Sequence, residues 1–202
     1  HNPGLPSALP TPLFSDDASK YRVLYLPPGT AQKYDHVEDC DMPDGTAMAK
    51  TFALPFDSNL SGPGFETVIE TRLLIHRENG WTTLVYVWQQ DRAELTLAGA
   101  NVPWTMNQDG TVVDFEYRVP SRGECKVCHQ FNVGDQSRIT PIGPKARLLN
   151  RTVMVDGSER NQLEWWRDEG WLDDLPPIDQ VPQVPDYTDT TADLTSRAKG
   201  YL

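Results

Sequence analysis

The stretch "TVIETRLLIHRENGWTTLVYVWQQ", residues 67–90, decides the fold. Two runs rich in β-branched and aromatic residues, 67–77 and 81–89, flank Asn79-Gly80. Branched and flat side chains pack well on a pleated surface, so both runs read as strands. The Asn-Gly pair between them predicts a type I′ hairpin turn, in which both central residues take positive φ. Alternation puts Ile69, Thr71, Leu73 and Ile75 on one face of the first strand, and Val68, Glu70, Arg72, Leu74 and His76 on the other.

Outward from this hairpin, "RVLYL" (22–26) and "TAMAKTFAL" (46–54, closed by Pro55) read as further strands. Asp109-Gly110 predicts a second hairpin joining "NVPWTM" to "TVVDFEYRV". Residues 20–120 are therefore expected to be mainly β, an antiparallel, sandwich-like arrangement. Beyond Pro120 the chain turns loop-rich with short helices, and "SERNQLEWWRDEG" (158–170) predicts a helix capped by Ser158 and stopped by Gly170. Proline-rich stretches at 1–13 and 175–190 read as an arm and a linker. The expected division is an arm at 1–13, a β-rich domain with a helical, loop-rich C-terminal part at 14–174, and a linker at 175–202. The linker leads into the start of a further helix, with Leu194, Ala198 and Leu202 on one face and Thr195 as its cap, which suggests a piece of a longer chain.

The 202 residues carry 29 acidic and 18 basic side chains, a net charge of −11. That balance argues against nucleic acid as a partner, because phosphate binding depends on Lys and Arg replacing counterions. No apolar run approaches the ~18 residues of a membrane span, so none is expected. Three cysteines, Cys40, Cys125 and Cys128, are an odd count and make no disulfide framework. The acidic run around Cys40 lacks the spacing of an EF-hand loop and reads as a solvated loop.

"CKVCHQ", residues 125–130, carries the chemistry. A Cys-x-x-Cys-His run is the attachment signature of c-type haem. Thiols three residues apart lie on one side of a helical turn and can add to the two vinyl groups on one porphyrin edge. The adjacent His129 then reaches the iron from the proximal side. A zinc site would recruit Cys40 as the fourth ligand, but adjacent Cys128 and His129 are awkward donors to one tetrahedral ion. A redox dithiol wants a helix start after a parallel strand, and hairpins are read here instead. The sixth iron ligand would come from Met42, Met48, Met106, Met154, His36 or His76. Met154, in a polar stretch, and His76, at a strand end beside Arg77, lead that set.

Several stretches together resemble a family of exported bacterial c-type cytochromes of unassigned role, usually with two haems. They are "TPLFSDDASKYRVLYLPPGT" (11–30), "AKTFALPFD" (49–57), "ETRLLIHRENGWTTLVYVW" (70–88), "YRVPSRGECKVCH" (117–129), "PIGPKARLLNR" (141–151) and "NQLEWW" (161–166). The resemblance covers most of residues 11–172. It implies Cys125, Cys128 and His129 as haem ligands, and a second haem domain following "TSRAKGYL" (195–202). It also implies a setting in secreted proteins, some beside carbohydrate-binding modules, and so a link to polysaccharide degradation. "GPKARLLN" (143–150) lies just downstream of the haem motif, so Lys145, Arg147 and Asn150 are candidates to line the pocket or hold propionates; a structural turn with a short helix is the plain alternative.

The expected function is electron transfer by one covalent haem c per chain, in the periplasm or outside the cell, with a redox protein and the following haem domain as partners. No nucleophile–base–orienter set stands out for an enzyme. Two rival readings are a haem enzyme of peroxidase or oxidase type with an open distal site, and a zinc-stabilised carbohydrate-binding module using exposed aromatics.

Overall fold

The computed structural model describes residues 4–9, 15–36, 40–133 and 135–201. The protein is mainly β, with one large antiparallel sheet and few helices. It divides into two compact units, one of Leu13–Leu24 with Ala47–Thr140, the other of His1–Pro12, Tyr25–Thr46 and Pro141–Leu202. Among the described residues no helix is long and apolar enough to cross a membrane.

The first unit is built on β1 (Ser19–Tyr25), β2 (Ala47–Pro55), β3 (Glu66–Arg77), β4 (Gly80–Gln89) and β5 (Arg92–Thr96), adjacent in that order in one sheet. The hairpin of residues 67–90 is present with Arg77 paired to Gly80, but its turn differs from the expected type. Only Gly80 takes positive φ, 96°, and Asn79 does not. The register places Glu78 and Asn79 in the turn, so the glycine follows it and supplies the left-handed residue that brings the chain into β4. Next come β6 (Ala100–Gln108) and β7 (Thr111–Val119), the second hairpin expected from sequence, joined by Asp109 and Gly110, both at positive φ, 51° and 85°. The helix α1 (Arg122–His129) follows, then a small hairpin of β8 (Gln130–Val133) and β9 (Gln136–Ile139).

The alternation read from β3 breaks at one place. Phe52 of β2 pairs with Glu70, but the next residue, Ala53, pairs with Val68. Ile69 is thus the extra residue of a β-bulge, and bulges re-aim the side chains beside them. As a result Ile69 and Glu70, neighbours in sequence, are both buried. Around them lies the core of the unit: Ala18, Phe52, Leu54, Ile69, Val85, Tyr117, Val119 and Cys125. Sheet strands supply Phe52, Leu54, Ile69 and Val85, the β6–β7 hairpin supplies Tyr117 and Val119, and α1 supplies Cys125. Each large side chain so buried contributes about 1.5–3 kcal/mol. Gly99, at φ 76°, sits where a Cβ would come within 2.5 Å of the Val119 carbonyl and 2.8 Å of the Ser121 nitrogen, so only glycine lets β5 return this close to the start of α1.

The second unit holds α2 (Ala146–Leu149), β10 (Thr152–Val155), β11 (Ser158–Asn161), α3 (Gln162–Asp168) and α4 (Leu194–Tyr201), with a short parallel pairing of Gln32–Lys33 and Leu172–Asp173. The helix expected over 158–170 is shorter. Asp156 and Gly157, at φ 48° and 79°, make a hairpin turn, and residues 158–161 pair back onto β10. Asn161, not Ser158, caps α3, its side-chain oxygen accepting from the Leu163 and Glu164 amides. Gly170 does stand just past the helix, at φ 74°. Residues 181–184 are hydrogen-bonded within this unit, through Asn150 Nδ2 to the Val181 carbonyl and the Val184 amide to the Arg147 carbonyl. In α4, Asp193 rather than Thr195 accepts from the first turn, at the Ser196 amide. Leu202 lies outside the described residues, as does most of the arm expected at 1–13.

Candidate functional site

The helix carrying Cys125, Cys128 and His129 begins because Ser121 caps it. Ser121 Oγ accepts from the Glu124 amide at 3.2 Å, and Glu124 Oε2 accepts from the Ser121 amide at 2.6 Å. This reciprocal pair satisfies two amides that would otherwise lack partners, and such caps contribute about 1 kcal/mol. The amide bonds from Ser121, with Arg118 at 3.1 Å, hold the Glu124 carboxyl below its usual pKa.

The three motif residues meet different surroundings. Cys125 is 9% exposed and belongs to the core; burial pushes its thiol pKa up, against the pull of the Arg72 charge. Cys128 is exposed, and beside it Val127 is 83% exposed. Phe131, just beyond His129, is also exposed.

His129 is half-buried, and its Nδ1 lies 2.9 Å from the Thr140 carbonyl oxygen. A carbonyl oxygen only accepts, so Nδ1 carries the proton and the lone pair is left on Nε2. The Thr140 amide in turn donates to the His129 carbonyl at 2.8 Å, so the β8–β9 hairpin ties the ring in place from both ends. Burial lowers the His129 pKa, the Thr140 bond opposes it, and the charges of Lys50 and Arg72 act with burial. The result is an imidazole kept neutral, with a tautomer and orientation that metal-binding histidines commonly have.

Next to the motif lies a charge cluster that inspection of single strands does not reveal. Glu70, fully buried, accepts from Arg72 Nε at 2.9 Å, from Arg72 Nη2, and from the Tyr117 hydroxyl at 2.7 Å. Burial beside Glu70 holds the Tyr117 hydroxyl far above its ordinary pKa. Arg72 and Lys50 both stack over the Phe52 ring, 4.2 Å and 4.8 Å from its centroid. Burial and the neighbouring Arg22, Arg72 and Lys20 push Lys50 down to about 7. Burial also lowers Arg22. The signal was present in the inward-facing charges of "SKYR", "AKTF" and "ETR", but it needed the strand register to read.

Of the residues singled out from sequence, Cys125, Cys128 and His129 share the single helix α1. His76 lies on β3 in the same unit, stacked on Trp81 with ring centroids 4.6 Å apart. Met154 is exposed on β10, in the other unit. Lys145 stands at the cap position of α2 and Arg147 is exposed on that helix, both also in the other unit. Asn150 is engaged in hydrogen bonds with Val181 and Asn161, as a structural turn would have it. Met42 and Met106 are buried. Among the described residues no group of three or more His, Cys, Asp and Glu side chains is arranged to hold a metal ion, which leaves the four-ligand zinc reading without an assembled site. No family model matches this chain, and no characterised protein and no solved structure is significantly similar to it.

Proposed function

We propose that the sheet unit attaches one haem c through Cys125 and Cys128, with His129 as proximal ligand, and acts as an electron-transfer domain in the periplasm or outside the cell. The observation that carries this reading is the state of His129. Its Nδ1 proton is held on the Thr140 carbonyl, its Nε2 lone pair is left for a metal, and burial keeps it neutral. The donor set fits haem better than zinc, because it offers one imidazole and two thiols on a single short helix with no fourth ligand gathered to them.

Haem iron, when bound, would supply the electron that moves. The chain's part is to hold and tune it. Thr140 orients the proximal ring and raises its basicity as a ligand. Val127 and Phe131 are exposed apolar side chains beside the motif that a macrocycle would cover. Arg72 and Lys50, whose charges act on His129, would favour the reduced form. A redox protein and a following haem domain are the proposed partners, and polysaccharide degradation the proposed setting; both come from the family resemblance.

A pyridine haemochrome spectrum in alkali, taken after acid-acetone extraction of protein matured with haem-attachment machinery, tests the reading. Colour retained by the protein, with the α-band of two saturated vinyl groups, supports it. Colourless protein removes it.

A further inference from the structure

The large sheet has a second face. Hairpin β6–β7 and helix α1 pack on the side of Phe52, Leu54 and Val85. On the other side, strand pairing lines up Leu73 with Ala49 and Leu84, and Leu95 with Tyr86. Thr71 belongs to this side, since its hydroxyl meets Thr51 Oγ1 at 2.9 Å and accepts from Trp88 Nε1 at 2.9 Å. On β1, Leu24 is buried inward and Val23, pointing outward, is 40% exposed. On β5, Leu95 is 50% exposed, and Leu73, Ile75, Leu84 and Trp88 between them are half-buried. The solvated face of an antiparallel sheet normally carries polar residues in alternation with the core. Here both faces are apolar. In a chain that is 23% charged, the outward positions of β1 to β5 hold, among the described residues, only two charges. They are Glu66 and Arg77, at opposite ends of β3.

We infer that two copies of the chain pack on this face, sheet against sheet, about a two-fold axis. Area, composition and charge each favour a second copy over another occupant. Five strands ~4.8 Å apart and about eight residues long, at ~3.4 Å per residue, make a face of roughly 600 Å². That is the upper limit of the largest apolar patch on an ordinary monomer, about 300–600 Å². Laid against its equal it buries roughly 1,200 Å² in total, where specific, stable interfaces begin. Interfaces between separable partners are no more apolar than the rest of a surface, whereas those of homodimers are, with charges depleted at the centre. Leu73, Ile75 and Leu84 hold the centre here, and branched aliphatic side chains offer a sugar ring no flat partner. The two charges are self-complementary. A two-fold axis lying in the contact plane, across the strands, brings the Glu66 end of β3 over the Arg77 end of the same strand in the other copy. Cys125 packs on the opposite face, so the pairing stands apart from the haem reading and leaves both motifs uncovered.

Sedimentation equilibrium of the full chain, from low micromolar to sub-millimolar concentration and at low and high ionic strength, reads the pairing. The mass should rise with concentration toward twice the chain's 22.7 kDa. Copies that each carry −11 repel one another around a face with no charge at its centre, so added salt should tighten the pairing. Leu84→Glu puts a buried charge on each side of the axis and should weaken it at least about a hundredfold. Val112→Glu, at a 72% exposed position of β7, should leave it unchanged. Circular dichroism checks that each variant is folded. If Leu84→Glu is not, Leu95→Glu on β5 takes its place, with a weakening of at least about tenfold expected. A chain that stays monomeric at every concentration overturns the pairing; retention of that monomer on insoluble cellulose, lost in Trp88→Ala, then gives the face to a glycan. A dimer that Leu84→Glu leaves intact, that Val112→Glu weakens as much, or that salt dissociates is held elsewhere, and overturns it too.

Discussion

Glu70→Gln is the substitution from which most can be learned. The side chain is fully buried, accepts two hydrogen bonds from Arg72 and one from Tyr117, and its charge also acts on Lys50. Glutamine keeps the shape but removes the charge and turns an NH2 toward groups that are themselves donors. Breaking a buried pair by removing one partner costs about 3–5 kcal/mol, because the other charge is left uncompensated. For a chain of this size each kcal/mol moves Tm by about 2–4 °C, so a fall of about 6–20 °C is expected. Urea unfolding of the full chain, followed by circular dichroism and by tryptophan fluorescence, measures it directly. Tyr117→Phe takes away only the 2.7 Å bond and should cost about 1.5–3 kcal/mol. Glu70→Gln/Arg72→Met removes both partners, and should lose less than the sum of the single changes. A Glu70→Gln chain within about 1 kcal/mol of wild type would refute the reasoning, since the guanidinium would then not depend on this counter-ion.

Three further outcomes follow from the geometry. Ser121→Ala removes the side-chain half of the capping box on α1 and should cost about 0.5–2 kcal/mol, read by thermal unfolding. In the native haem-free chain, iodoacetamide should modify Cys128 well before Cys125 or Cys40, because only Cys128 is exposed; equal rates by mass spectrometry would contradict the burial described here. The haem-free chain should also gain stability on the alkaline side. Folding holds Lys50 at about 7 against an ordinary value of 10.5, so between those pH values the unfolded chain binds a proton that the folded chain does not, and stability rises with pH until both forms are neutral. Lys50→Met should flatten that rise in urea midpoints measured across the window.

The hairpins were readable because their signals are local. Asp109-Gly110 has residues that tolerate positive φ, and both adopt it. Asn79-Gly80 marked its hairpin correctly but not its turn, since a shift of one residue in register is a matter of strand pairing and not of composition. The bulge at Ile69 had no local mark at all: period-two alternation looks the same on either side of a skipped pair. Over 158–170 the helical period extends back to Ser158, but Asp156-Gly157 just before it is a turn signal as strong as the other two, and it turns residues 158–161 into a strand. At the site, Cys125, Cys128 and His129 are contiguous and could be named from sequence alone. The Thr140 carbonyl that sets the imidazole tautomer is reached across the β8–β9 hairpin, and Arg22, Lys50 and Arg72 meet only once three strands are in register.

The place of Cys125 among Phe52, Leu54, Val85 and Tyr117 bears on the order of events in biogenesis. A cysteine 9% exposed is a poor target for any reagent once the sheet has closed over it, and closure also raises the fraction of unreactive thiol. Modification at this position and completion of the core are thus competing processes on one nascent chain. If haem is attached here, the sheet must wait for it, and a chain that folds too soon would be sealed in an unproductive state. Sequence changes that slow closure of β2 and β3 would then raise the yield of mature protein, even as they lower its final stability.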